Sequence, residues 1–397
     1  MKKFKYLVLL IIPLLLSGCY NYRELNDLAI VTGISIDYDK ESETFKVIVQ
    51  VINPIKEQDA TSSGEPSFIN YESEGRSLQE AFRLVILDSP KQLYGSQVQA
   101  LILSETVLDG HLPDVIDYFI RDPELRSEFK VIIARNQKSL EGITIQTLLN
   151  NLSSSNILDS LETQEKKEGI ANVSTLNDIT NMYLNPYLEM ILPSMTVEGS
   201  ISKGESKDNL TTTNNNATTR ISTTGIFKDN KFLGYLEELE SKVLNLIRGD
   251  IKDTIITLDI DDGYIVLEPN KIKSSSKANL KENKVEITIE GLAKINEVSG
   301  LVDLTSSKEI KKLQDKLNKY TEEVVNETFE KIREEYNTDV FKFRDLFYKT
   351  DHKYFKENCD NWYEDIFPNI EIQVTSKIEL YEKGNTLGGT KYERENK

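Results

Sequence analysis

The side chain best placed for chemistry is a thiol. Leu16, Ser17, Gly18 and Cys19 follow Lys2, Lys3, Lys5 and the apolar run Tyr6 to Leu16. A branched apolar residue, two small residues and a cysteine form a lipobox, in which the cysteine sulfur takes a diacylglycerol and the chain is cut before it, freeing an amino terminus that can take an N-acyl chain. The run is too short to span a bilayer comfortably, so residues 1–18 read as a lipoprotein signal peptide. Two acyl chains hold a protein on a membrane where one is marginal. The mature chain is therefore expected to be tethered, not transmembrane. No later stretch is apolar for long enough to span.

Other spacings that resemble chemistry fail on inspection. Gly199 to Gly204 has the spacing of a phosphate loop, but Glu205 stands where the lysine must be and would repel phosphates. Gly33-Ile34-Ser35-Ile36-Asp37 begins like a nucleophile elbow, yet lacks the second glycine and lies in a strand pattern. Asp259, Asp261 and Asp262 precede Gly263 as in a calcium loop, but Leu258 and Ile260 occupy ligand positions, which favours a hairpin. The two histidines, His111 and His352, are far apart, and neither has a second histidine at helical spacing. Surface pairs such as Glu237-Glu238 and Glu322-Glu323 have no histidine neighbour to tune them as acid and base. No catalytic residue, metal site or cofactor is expected beyond the lipid on Cys19.

Charge narrows the partners. The full chain carries −17, and removal of the three lysines ahead of Cys19 leaves −20. Such a surface repels nucleic acid and anionic headgroups. Attachment then rests on the lipid and on protein contacts. With Cys19 acylated, Cys359 has no partner for a disulfide.

The pattern is α+β throughout. "LAIVTGISID" and "TFKVIVQVI" read as strands joined by a turn at Asp39 to Ser42; "ATSSGEPS" is a polar loop, and "SLQEAFRLVILDS" a helix with Ser77 and Glu80 as a capping box. "VQALILS", "PDVIDYFIRD" and "EFKVIIAR" follow as strand, helix and strand, which predicts a mixed sheet with packed helices. Residues 139–200 then carry the helical segments "TIQTLLNNL" and "TLNDITNMYL" and the extended "PYLEMILPSMTV". Residues 201–221, threonine- and asparagine-rich, read as a flexible polar linker or loop.

After it come two short strands around Asp229-Asn230, a helix burying Leu236, Leu239, Val243, Leu244 and Ile247, and a hairpin at Asp261-Asp262-Gly263. The one-faced strand "KVEITIEGLAKI" precedes a long helix over 307–336, with Ile310, Leu313, Leu317, Tyr320, Val324 and Ile332 inward, and "NIEIQVTSKIELYEKG" is a closing strand. The expected units are 19–138, 139–200 and 222–392, each a mixed, largely antiparallel sheet with helices. Trp362, the one tryptophan, reads either as a core plug or as an interface anchor.

"LLSGCYNYRELNDLAIVTGISIDYD" resembles the opening of the Ger(x)C family, the lipoprotein C subunits of spore nutrient germinant receptors: a lipobox cysteine, an Arg-Glu-Leu-Asn segment (Arg23, Glu24, Leu25, Asn26), and an Ala-Ile-Val, Gly, Ile-Asp strand. "SLQEAFR", "FIRDPELRSEFKVIIAR", "TTGIFKDNKFLGYLEELES" and "NWYEDIFPNIEIQVTSKIELYEKG" resemble family blocks in the family's order. Tyr20 and Asn21 depart from a tryptophan and an acid, and "VFKFRDLFYKTDHKYFK" diverges. The resemblance implies three α/β domains, no catalytic activity, attachment to the outer face of the spore's inner membrane, and assembly with an A-type membrane subunit carrying a large soluble region and a permease-like B-type subunit.

Arg23 to Asn26, confined near the membrane by the short reach from Cys19, are with Trp362 the candidate interface residues. A lipid-anchored solute-binding protein of a transporter is the competing reading. Its members usually place a flexible spacer after the cysteine, whereas here about ten residues, roughly 35 Å fully extended, separate Cys19 from the first strand.

Overall fold

The computed structural model describes residues 24–53, 66–261 and 263–382. The first two strands, β1 (Leu28–Asp39) and β2 (Thr44–Ile52), pair antiparallel around the predicted turn. Val47, Val49 and Val51 are buried while Lys46 is exposed, as the alternation requires. A third strand, β3 (Phe68–Gly75), joins β2 at the edge. Its polar sequence, FINYESEG, gave no strand signal.

Helix α1 (Leu78–Leu84) begins at Ser77, whose Oγ accepts the Glu80 amide. The return bond of the box goes one residue further back, with the Arg76 amide donating to Glu80 Oε2 at 2.8 Å. Strand β4 (Gln92–Tyr94) pairs with the start of β1, and β5 (Ala100–Ser104) with its middle. Helix α2 (Leu112–Arg121) leads to β6 (Lys130–Ala134). Every residue of β5 is buried because helices cover both faces of this parallel part of the sheet.

Residues 139–200 build no sheet of their own. Their helices α3 (Ser153–Lys167) and α4 (Leu176–Leu184) pack on opposite faces of the first sheet, and β7 (Ile191–Gly199) joins it beside β6. The helix expected over "TIQTLLNNL" starts later, at Ser153. Leu148 and Leu149 are exposed and give that stretch no buried face, whereas Ile157 and Leu161 give the following one a core contact.

The expected linker is also corrected. Residues 201–221 form helical turns at Ile201–Gly204 and Asp208–Thr211 and the first part of β8 (Ala217–Lys228), which pairs with β7. Side-chain hydrogen bonds supply what apolar burial could not. Asn209, fully buried, donates to the Gln146 and Ala217 carbonyls and accepts from the Asn216 and Ala217 amides.

Strand β9 (Lys231–Leu236) closes the sheet through a turn in which Asp229 and Asn230 both have positive φ, the type I′ geometry these residues favour. The nine-stranded sheet runs β3-β2-β1-β5-β6-β7-β8-β9, with β4 beside β1.

Helix α5 (Glu238–Arg248), ended by Gly249 at φ 76°, links to a four-stranded sheet of β10 (Ile256–Ile260), β11 (Gly263–Asn279), β12 (Lys284–Ser299) and β13 (Glu371–Glu382). Gly263 has φ 155°, and a Cβ there would stand 1.7 Å from the Ser299 carbonyl oxygen, so the hairpin demands glycine. The long helix α6 (Ser307–Tyr336) lies on this sheet. Its buried face is Leu313, Leu317, Thr321, Val325, Phe329 and Ile332, with Ile310, Tyr320 and Val324 at the margin.

That helix also closes the outer edge of β13. The amides of Ser376, Ile378 and Leu380 donate to Glu322 Oε1, Asn318 Oδ1 and Gln314 Oε1 at 2.8, 2.7 and 3.1 Å. Three acceptors spaced four residues apart rise about 6 Å per step, close to the two-residue step of a strand, so the side chains replace a neighbouring strand. An edge that would otherwise template pairing with another chain is capped. The α+β class therefore holds, with the described strands gathered into two sheets rather than three.

Candidate functional site

Three places bear on function: the end where the chain enters the first sheet, the junction between the sheets, and Trp362.

Leu25–Asp27 form one 3-10 turn, closed by the Asp27 amide donating to the Glu24 carbonyl at 3.0 Å, and β1 begins at the next residue. Glu24 and Asn26 are exposed. Cys19 and Arg23 lie outside the described residues. Beside this entry, Leu28, Tyr94, Ser96, Pro123, Leu125 and Arg126 line a depression of about 480 Å³. It continues through Pro123 and Leu125 into a second depression reaching Ile86 and Gln92.

The junction holds residues for which the sequence carried no signal. Ile191 and Ile226 of the first sheet share one apolar cluster with the second sheet and α6. Above them Glu189 accepts the Tyr363 hydroxyl and the Asp229 amide, the latter at 2.9 Å. The Lys228 ammonium lies 4.2 Å from the Tyr363 ring centre, and the Arg344 guanidinium faces the Tyr363 and Tyr187 rings. Asp339, 2% exposed, caps the helix α7 (Phe343–Thr350) by accepting the Phe343 and Arg344 amides at 3.1 and 2.5 Å. Burial raises the pKa of Glu189 and of Tyr363, and pushes Asp339 up to about 7 against the two amides that favour its charged form. The only local signal in the sequence was Asp339 four residues ahead of Phe343, and it carried no hint of burial.

This carboxyl makes stability pH-dependent. Above its ordinary value of 3.8 the unfolded chain has released the proton that folded Asp339 keeps. Its contribution is complete below that value and is lost as pH rises through about 7, with Glu189 acting in the same sense. Stability, and with it the melting temperature, is expected to fall between about pH 4 and about pH 7 and to level off above, with stability changing by about 1 kcal/mol per pH unit at its steepest. Asp339→Asn, which keeps an acceptor for Phe343 but cannot ionise, should start lower and run flatter. Parallel slopes in melts of the two proteins would remove Asp339 as the cause.

Trp362 is 1% exposed, with its ring centre 5.3 Å from Phe347, 6.1 Å from Phe355 and 6.4 Å from Phe367. Its side chain is inside the apolar cluster of the second sheet and α6 and presents nothing to a partner. The interface-anchor reading gives way to the core plug.

Among the described residues no helix is long and apolar enough to cross a membrane, and no group of three or more His, Cys, Asp or Glu is placed to hold a metal ion.

Two family descriptions match the chain in order: the spore germination protein N-terminal domain over residues 21–197, and the spore germination B3/GerAC-like C-terminal domain over 222–384. The chain belongs to the Ger(x)C family of spore germination proteins. Among its relatives, spore germination protein KC of Bacillus subtilis (strain 168) is 24% identical, with 94% of this chain and 93% of the relative aligned. Spore germination protein B3 of the same organism is 22% identical over 98% of this chain's counterpart and 97% of this chain. The crystal structure of the GerBC protein matches with a TM-score of 0.52 at 19% identity, covering 88% of this chain and 96% of that one, which shows a shared fold. The second description begins at residue 222, inside β8, although β8 and β9 complete the first sheet.

Proposed function

We propose that this germination protein is the lipid-anchored, non-catalytic subunit of a nutrient germinant receptor. In this reading it is held by acylated Cys19 on the outer face of the spore's inner membrane and assembles there with A-type and permease-like B-type membrane subunits. The observation that carries the reading is the pair of family matches spanning residues 21–384 directly behind a lipobox. The five residue steps from Cys19 to Glu24 reach at most about 18 Å, so the exposed Glu24 and Asn26 stay close to the bilayer.

Arg23 and Glu24 are the proposed polar contacts, since charge-assisted hydrogen bonds across an interface are worth about 1.5–3 kcal/mol each. Replacing both by alanine should leave the melting temperature unchanged, because Glu24 is exposed and surface charges contribute little to folding. It should weaken co-purification with the membrane subunits about tenfold or more. Nutrient-triggered germination should slow, while germination by agents that bypass the receptor stays normal. Unchanged co-purification and unchanged nutrient response would reduce the segment to a tether.

A further inference from the structure

The entry end of the first sheet carries apolar side chains that no part of the described chain covers. Leu87 is 80% exposed and Ile86 51% exposed, at the end of the short turn Val85–Leu87 that follows α1. Scattered exposed leucines are ordinary. These are not scattered with respect to the chain's origin. Ile86 shares its depression with Gln92, Pro123 and Leu125, and Pro123 and Leu125 share the next one with Leu28, the first residue of β1. The β4 pairing sets Gln92 and Tyr94 against Leu28 and Ile30, so this rim and the strand entry are one end of the sheet.

We infer that this rim rests in a phospholipid surface, with Ile86 and Leu87 entering the boundary between headgroups and acyl chains. The inference deepens the proposed function and rests on its lipid anchor. Cys19 lies at most about 18 Å of chain from Glu24, and the turn Leu25–Asp27 uses little of the remaining path to Leu28. An anchored chain therefore brings this end of the sheet, and not the other, to the bilayer. The far turn at residues 40–43 stands roughly 36 Å away along β1.

The charge suits the contact. On a mature chain of −20 the rim around Ile86 and Leu87 balances Arg83, Lys91 and Arg126 against Asp88, Asp122 and Glu124, and only Glu24 and Asp27 at the strand entry add negative charge, so it meets headgroups with less repulsion than an evenly charged surface would bring. Tyr94 at the depression's wall has the amphipathic ring that suits an interface. The long stems of Lys91 and Arg83 can hold their charges among headgroups.

The test places an environment-sensitive dye on Leu87→Cys or, as a control at the far turn, on Glu41→Cys. Each variant is the acylated chain in plain phosphatidylethanolamine/phosphatidylglycerol vesicles. Both positions are exposed, so neither change threatens folding, and the buried Cys359 should leave the unsubstituted chain unlabelled. The dye at 87 should shift to the blue, be quenched by lipids brominated on their acyl chains and be protected from aqueous iodide. The dye at 41 should do none of these.

A dye at 87 that stays in water, on a chain whose N-terminal peptide carries its lipid by mass spectrometry, overturns the inference and leaves the anchor standing. Shielding that requires co-reconstituted membrane subunits also overturns it and assigns the rim to a protein surface. An N-terminal peptide without lipid overturns the anchor itself, and the rim contact with it.

Discussion

Trp362→Ala is expected to lower stability by about 3–5 kcal/mol, the range for removing a large aromatic from a packed interior. In a protein of this size that corresponds to a fall in melting temperature of roughly 5 °C. The ring is 1% exposed and meets Phe347 edge-on, with Phe355 and Phe367 completing the cage. Phe347 lies on α7, Phe355 on the next helix, His352–Asn358, and Phe367 just ahead of β13, so one cavity would loosen three elements at once. The indole Nε1 has no hydrogen-bond acceptor among the described residues. Trp362→Phe should therefore cost much less than the alanine, because it keeps most of the apolar volume and removes a buried donor that gains nothing. Denaturant melts of the two variants decide the matter. If both fold as the native chain and only partner binding is lost, the ring belongs to an interface after all.

Cys19→Ala is expected to abolish incorporation of labelled fatty acid. Alanine has no nucleophile to take the diacylglycerol, and lipoprotein-type cleavage follows that transfer, so the variant should persist as precursor with residues 1–18 attached. The effect is all or none because every acyl chain of the anchor depends on that sulfur, directly or through the cleavage that follows. One acyl chain binds membranes with about 10⁴ M⁻¹, whereas two hold nearly irreversibly. Nutrient response should fall to that of spores lacking the protein. Intact-mass measurement of the N-terminal peptide reads the outcome, and a normally processed, normally labelled variant would remove the lipobox from the account.

Legibility followed the physics of each element. Strands with one wet face, such as β12, and helices with strong caps were readable because burial and solvent alternate along them. Helix α1 is the clearest case: Ser77 stands at its start and accepts the Glu80 amide. The long helix came out over Ser307–Tyr336 as expected, with its inward stripe turned from Val324 to Val325.

Polar elements held by side-chain hydrogen bonds were not readable. Strand β3, the second half of β11 with its run KSSSKAN, and the stretch 201–221 bury little apolar surface locally. Their order comes from pairing with strands far away in sequence and from residues such as Asn209. The junction was invisible for the same reason. Glu189 and Tyr363 are 174 positions apart, and nothing in either neighbourhood announces that a carboxyl and a phenol will meet out of water. Trp362 was open to two readings because a tryptophan suits a core and an interface equally well until its neighbours are known.

The central claim is that this chain works as one subunit of a membrane receptor. It is tested most directly by isolating the tagged, otherwise native protein from detergent-solubilised spore inner membranes and identifying what accompanies it. The account predicts two membrane proteins in constant proportion to the chain, one with a large soluble region and one permease-like, both lost from the Cys19→Ala preparation. Isolation of the chain alone, or with the membrane components of a solute transporter, would contradict it.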